Sequence, residues 1–244
     1  MSNFNITRYT IVLIGFFLIF QTSFAGSYED FFRALRVDDE RAIERLLSRG
    51  FDPNTRDEKG RPALLFALQV PSPKSAEVLI RAEKTQVELR NDKDESPLML
   101  AALRGEKALV ELLIWRDADV NKSGWTPLHY AASAGHVGIA KLLVDHSAYI
   151  DAESPNGTTP LMMAAMYGTP EAVKLLIDEG ADPSLKNQLG MTALDFAKQA
   201  NRKDAIELLQ SLPRARKKPL PVPSANGLLE IRSDSNGTGF FRVE

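Results

Sequence analysis

The sequence predicts an all-α fold, a solenoid of about six helix-turn-helix repeats with β-turn fingers between them, and two observations carry that prediction. The first is a period near 33 residues: apolar anchors at Phe31, Leu64, Leu98, Leu128, Leu161 and Leu194 are separated by 33, 34, 30, 33 and 33 positions. The second is that other columns keep the same register. Three residues after each anchor stands an alanine (Ala34, Ala67, Ala101, Ala131, Ala164, Ala197), and fifteen after it a leucine (Leu46, Leu79, Leu113, Leu143, Leu176, Leu209). A unit this short cannot bury its own apolar face, so the repeats must stack, and three or more are needed before the core is continuous.

Each repeat then explains its own elements. Ser96, Thr126 and Thr159 offer a side-chain oxygen to the free amides of a following helix, and Pro97, Pro127 and Pro160 occupy the first helical position, where a missing N–H is no loss. Gly105, Gly135 and Gly168, seven residues past their anchors, are expected to end that first helix in a left-handed cap before an antiparallel second helix. The alanine columns let neighbouring repeats approach, while Leu112-Leu113, Leu142-Leu143 and Leu175-Leu176 are expected to fill the core. Finger turns are expected at residues 56–61, 121–125, 154–158 and 187–191, with Gly60, Gly124, Gly157 and Gly190 at their left-handed positions and Asp94 in that place in the third repeat. Departures are equally specific. Val70-Pro71-Ser72-Pro73 predicts an irregular turn between the helices of repeat two, whose end, Glu83-Lys84-Thr85, has lost the usual Gly-Ala-Asp turn. The step of 30 between Leu98 and Leu128 shortens the finger before Leu128 by three residues relative to its neighbours.

The fourth unit reads Gly124-Trp125-Thr126-Pro127-Leu128-His129-Tyr130-Ala131-Ala132, and unit ends read Gly50-Phe51-Asp52-Pro53-Asn54, Asp117-Ala118-Asp119-Val120-Asn121 and Gly180-Ala181-Asp182-Pro183-Ser184. On these motifs the chain resembles the ankyrin repeat family over residues 30–212. The resemblance implies a repeat domain over 26–212, with units near 28–54, 55–90, 91–121, 122–153, 154–186 and 187–212. It also implies a noncatalytic protein-protein interaction module that binds a protein through a concave face of fingers and inner helices. On that face it places Arg61, Glu95, Trp125, Thr158 and Met191 on fingers, and Leu103, Arg104, Met166 and Tyr167 on helices. Of these, Trp125, Met166, Tyr167, Met191, Arg61, Glu95, Arg104 and Thr158 are the candidate partner-binding residues. The same resemblance gives His129 and His136 structural positions.

The ends of the chain have a different composition. Residues 11–20, IVLIGFFLIF, follow a stretch whose only charge is Arg8 and precede Ser23-Phe24-Ala25-Gly26, the arrangement of a secretory signal peptide over 1–25 cleaved after Ala25. As a helix, Ile11 to Ala25 would span about 22 Å, short of a bilayer core of about 30 Å. The expected product is a monomer in the periplasm, or secreted, with no membrane association after cleavage. Residues 213–223, PRARKKPLPVP, read as an extended basic linker, and 224–244 as a disordered tail or a short hairpin about Asn236-Gly237.

Composition removes several functions. The absence of cysteine excludes disulfides, thiolate metal sites and cysteine nucleophiles. A net charge of −2 lacks the positive field of a nonspecific nucleic-acid binder. No HExxH, GxSxG, phosphate-binding loop or dinucleotide fingerprint occurs, so the expectation is no catalytic residue, no metal and no cofactor. The partner class stays open between an exported enzyme that is assisted or protected, a toxin neutralised by an immunity or inhibitor protein, and the target of a secreted effector. An enzyme or metal-binding protein on the same solenoid is the remaining alternative.

Overall fold

A computed structural model describes residues 26–70 and 72–212. Among them a helix runs through residues 26–36 (α1), followed by α2 (Glu40–Ser48), α3 (Ala63–Gln69), α4 (Pro73–Arg81), α5 (Pro97–Arg104), α6 (Lys107–Trp115), α7 (Pro127–Ala134), α8 (Val137–Asp145), α9 (Pro160–Tyr167), α10 (Pro170–Asp178), α11 (Ala193–Gln199) and α12 (Lys203–Ser211). No strand occurs among the described residues beyond an isolated antiparallel bridge from Arg56 to Pro62. The first helices pack side by side as α3–α5–α7–α9–α11 and the second as α2–α4–α6–α8–α10–α12, with each pair also in mutual contact from α3–α4 onward. The result is a two-layer helical solenoid, as the period requires. The described residues as far as Ser211 belong to one compact unit. The expected signal peptide, linker and tail lie outside the described residues.

The anchors Phe31, Leu98, Leu128 and Leu161 are completely buried, as is the alanine column apart from small exposures at its first members. Leu79, Leu113, Leu143 and Leu176 are likewise buried, whereas Leu112, Leu142 and Leu175 are only half-buried, so one leucine of each pair fills the core. Leu46 and Leu194 belong to the same columns and are half-exposed because no repeat stacks beyond them.

Capping follows the sequence at most positions. Ser96 and Thr159 accept the amides of Met99 and Met162 at 3.3 and 3.4 Å, with proline at the first helical position. Gly105 and Gly135 end α5 and α7 with φ of 78° and 72°. Gly168 does not: its φ is −77° and ψ −154°. Here the second helix begins Thr169-Pro170, and the residue before a proline is driven to extended backbone; Thr169 takes ψ 158° and caps the Ala172 amide at 3.2 Å. Glycine is required at 168 by space instead, because an added Cβ would lie 2.3 Å from the Ala132 carbonyl oxygen.

Repeat two is irregular as expected, and its neighbours complete it. Asp38, in the left-handed region at φ 54°, caps the start of α4 by accepting the Ser75 amide at 2.8 Å. At the other end of α4, where the Gly-Ala-Asp turn is lost, the Arg116 guanidinium of the next repeat donates to the carbonyls of Ile80, Ala82, Glu83 and Thr85. One planar fork thus replaces a turn's worth of hydrogen bonds.

Candidate partner-binding face

Four fingers share one construction. The amides of Asp57, Asn91, Ser154 and Asn187 donate to the carbonyls of Arg61, Glu95, Thr158 and Met191 at 2.9, 3.3, 3.0 and 3.0 Å. Each turn is closed by the amide of Gly60, Asp94, Gly157 or Gly190, all with φ between 60° and 74°. The side chain at the root accepts the amide four residues on: Asp57 from Arg61 at 2.8 Å, Asn91 from Glu95 at 3.0 Å, Ser154 from Thr158 at 2.9 Å and Asn187 from Met191 at 3.0 Å. Such Asx-type turns need a short polar side chain at that place. This column was missed because it mixes Asp, Asn and Ser, and its common property is an acceptor rather than a residue type.

Residues 121–125 form no such hairpin, which corrects the expected β-turn there. The three missing residues remove the root position, and no backbone hydrogen bond closes this segment on itself. Gly124 keeps a φ of 81°. Lys122 is buried, donates to the Ser123 carbonyl at 3.0 Å and forms an ion pair with Asp94 of the preceding finger. Hydrogen bonding to Lys122, with Arg90 added, holds Asp94 below the usual carboxylate range.

Of the candidate residues, Tyr167 is 60% exposed and Arg104 is exposed, with its guanidinium donating to the Gln69 carbonyl at 3.2 Å. Met166 and Met191 are half-buried. Trp125 is also half-buried, its ring edge-on to His129 at 5.2 Å between centroids. Arg61 is committed within the protein: it pairs with Asp57, donates to Gln69 at 2.8 Å and stacks on Phe66. Glu95 accepts from Asn91 at 2.7 Å and from the Tyr130 hydroxyl at 3.0 Å, and burial followed by this carboxylate pushes the Tyr130 phenol up. Thr158 is removed from the face. It is 2% exposed, and its carbonyl accepts from both His129 and Ser154, so it closes the base of the finger opposite Ser154 and is not a contact residue. In its place the structure adds Leu189, 80% exposed at the tip of the last finger. Leu189 stands two residues past the finger root, where earlier fingers carry Lys59, Lys93 and Asn156, and that apolar intrusion was readable in the sequence.

The histidines are used structurally. His129 Nδ1 accepts the Thr126 amide at 3.1 Å, so the proton lies on Nε2, which donates to Thr158 O at 2.9 Å. Burial lowers its pKa to about 4 and keeps the ring neutral. His136 Nε2 lies 3.1 Å from the Leu103 carbonyl, and its ring covers Gly105. No group of three or more metal-ligating side chains occurs among the described residues.

A row of first helices edged by hairpin fingers defines a helical-repeat protein. The family model for ankyrin repeats (3 copies) matches residues 66–154 and 148–218, and the chain belongs to the ankyrin repeat family. Such repeats generally mediate protein-protein interaction. The chain is 34% identical over 108 residues to the ankyrin repeat and SAM domain-containing protein 6 of Rattus norvegicus, a match covering 43% of this chain and 12% of that protein. It is 34% identical over 116 residues to the neurogenic locus notch homolog protein 1 of Xenopus laevis, covering 46% of this chain and 5% of that protein. The matches therefore span 12% or less of these relatives. A solved ankyrin repeat domain from Acinetobacter baumannii AYE superposes with a TM-score of 0.64 at 27% identity, covering 74% of this chain and 95% of that one.

Proposed function

We propose that this protein is an exported, noncatalytic scaffold of the periplasm that holds a protein partner on the finger and inner-helix face of repeats four to six. The observation that carries the reading is the exposure of Tyr167, at the end of α9, and of Leu189, on the last finger, with Trp125, Met166 and Met191 half-buried in the same three repeats. Apolar side chains gathered on one face are characteristic of interface centres. The committed hydrogen bonds of Arg61 and Glu95 make those two part of the scaffold under the face, with Arg104 at its margin. The short apolar run and Ser23-Phe24-Ala25 support export with loss of residues 1–25, and the basic proline-rich stretch 213–223 supports an extended linker after the repeats.

Two measurements test this. Sequencing the amino terminus of the protein from an envelope fraction is expected to return Gly26 or Ser27; Met1 retained in the membrane contradicts export with cleavage. Affinity purification of the tagged protein from its own envelope is expected to retain a protein that the Tyr167→Ala variant loses at unchanged melting temperature. Equal retention by the variant contradicts the assigned face.

A further inference from the structure

The two halves of the finger row differ in charge. At the tips of the second and third fingers, residues 58–59 and 92–93 are all charged, and Arg104 extends that character onto the inner helix of repeat three. At the later tips, residues 123–124, 155–156 and 188–189 contain no charge. The helix positions beside them, 133–134, 166–167 and 199–200, contain none either. Lys122 does not break the pattern, because it is buried and neutralised by Asp94. Exposed charges beside these positions in the sequence are Glu153 and Lys186, on the entering arms of the last two fingers, and Lys198 in α11.

What the uncharged half offers is Tyr167, Leu189 and the half-buried Trp125, Met166 and Met191, with amide side chains at Asn156 and Gln188. A charged side chain docked there would lose its water without gaining a counter-charge, a cost no contact in this set offsets. Methionines adapt to the shape of an apolar side chain, and tyrosine and tryptophan supply contact area with a polar edge.

We propose that the partner presents to repeats four to six an extended peptide segment free of charge and bearing bulky apolar side chains, with its charged residues confined to the part that runs over repeats two and three. The proposal rests on the concave-face reading above and names the chemistry of what that face takes.

The test is selection of random phage-displayed peptides on the purified full-length protein, followed by affinity measurements of the enriched peptides against three variants. Enriched peptides are expected to contain an uncharged run with bulky apolar residues. Tyr167→Glu and Leu189→Glu, both at exposed positions, are each expected to weaken them about tenfold, and Trp115→Ala, at the exposed end of α6, to leave them within about threefold. Peptides whose binding runs are charged, yet which both glutamate variants weaken, overturn the proposed partner chemistry while keeping the face. Peptides indifferent to both glutamate variants overturn the face itself, whether or not Trp115→Ala weakens them. Failure to enrich any peptide also overturns the proposal. Melting temperatures matching the parent protein are required of each variant, and Leu189→Lys provides a second disruption at the most exposed position.

Discussion

Asp151 stands where Asn54 and Asn121 bridge successive repeats. Asn54 accepts the Gln86 amide at 2.8 Å and donates to the Lys84 carbonyl at 2.9 Å, and Asn121 does the same with Tyr149 and Ser147 at 2.8 and 2.7 Å. The Asp151 carboxylate accepts the Asp182 amide at 3.1 Å but has nothing to donate, and burial, with the Asp182 charge, raises its pKa. A raised acid pKa means that the folded state holds the proton more tightly, so stability from this site is full below the unfolded value of 3.8 and declines as pH rises through the folded one. Asp151→Asn is therefore expected to stabilise at neutral pH by about 1 kcal/mol, with the gain shrinking toward pH 3. His129 has the opposite sign. Its folded pKa of about 4 lies under the 6.5 of the free side chain, so its contribution is complete above pH 6.5 and is lost as pH falls to about 4. Denaturant titrations of the parent and of His129→Leu are expected to converge by on the order of 3 kcal/mol across that window. Parallel curves contradict the buried neutral ring.

At the scale of elements, the helices and their starts were legible because proline, threonine and the alanine column act within one repeat. What escaped acts between repeats. Gly168 reads as a left-handed cap by position, yet its requirement comes from the Ala132 carbonyl of the preceding repeat. Gly168→Ala is expected to cost about 2–3 kcal/mol through overpacking, at a negative φ of −77°. Gly190→Ala, at φ 72° with no atom within 4 Å of the added Cβ, is expected to cost only about 1 kcal/mol. Equal costs contradict this division between crowding and backbone strain. Arg116 is the other example: nothing in its own repeat marks it, while the lost turn of repeat two supplies its carbonyl partners. Arg116→Lys keeps the charge but not the fork, and is expected to lose about 2 kcal/mol in urea unfolding, nearly as much as Arg116→Ala.

For the whole molecule, the solenoid supplies a continuous row of inner helices, and the sequence of each repeat decides what that row displays. Periodicity made the row and its direction legible, together with Tyr167 and Trp125 as apolar departures on it. It did not reveal that Thr158 is buried, its carbonyl accepting from His129 of the preceding repeat, nor that Leu189 stands clear of the last finger. The claim that repeats four to six form the partner site is tested most directly by photocrosslinking in living cells, with benzoylphenylalanine in place of Tyr167 and, separately, in place of Trp115, which is 74% exposed at the end of α6 in the outer helix layer. The account predicts a discrete adduct from position 167 and none from position 115. An adduct from position 115 alone contradicts it.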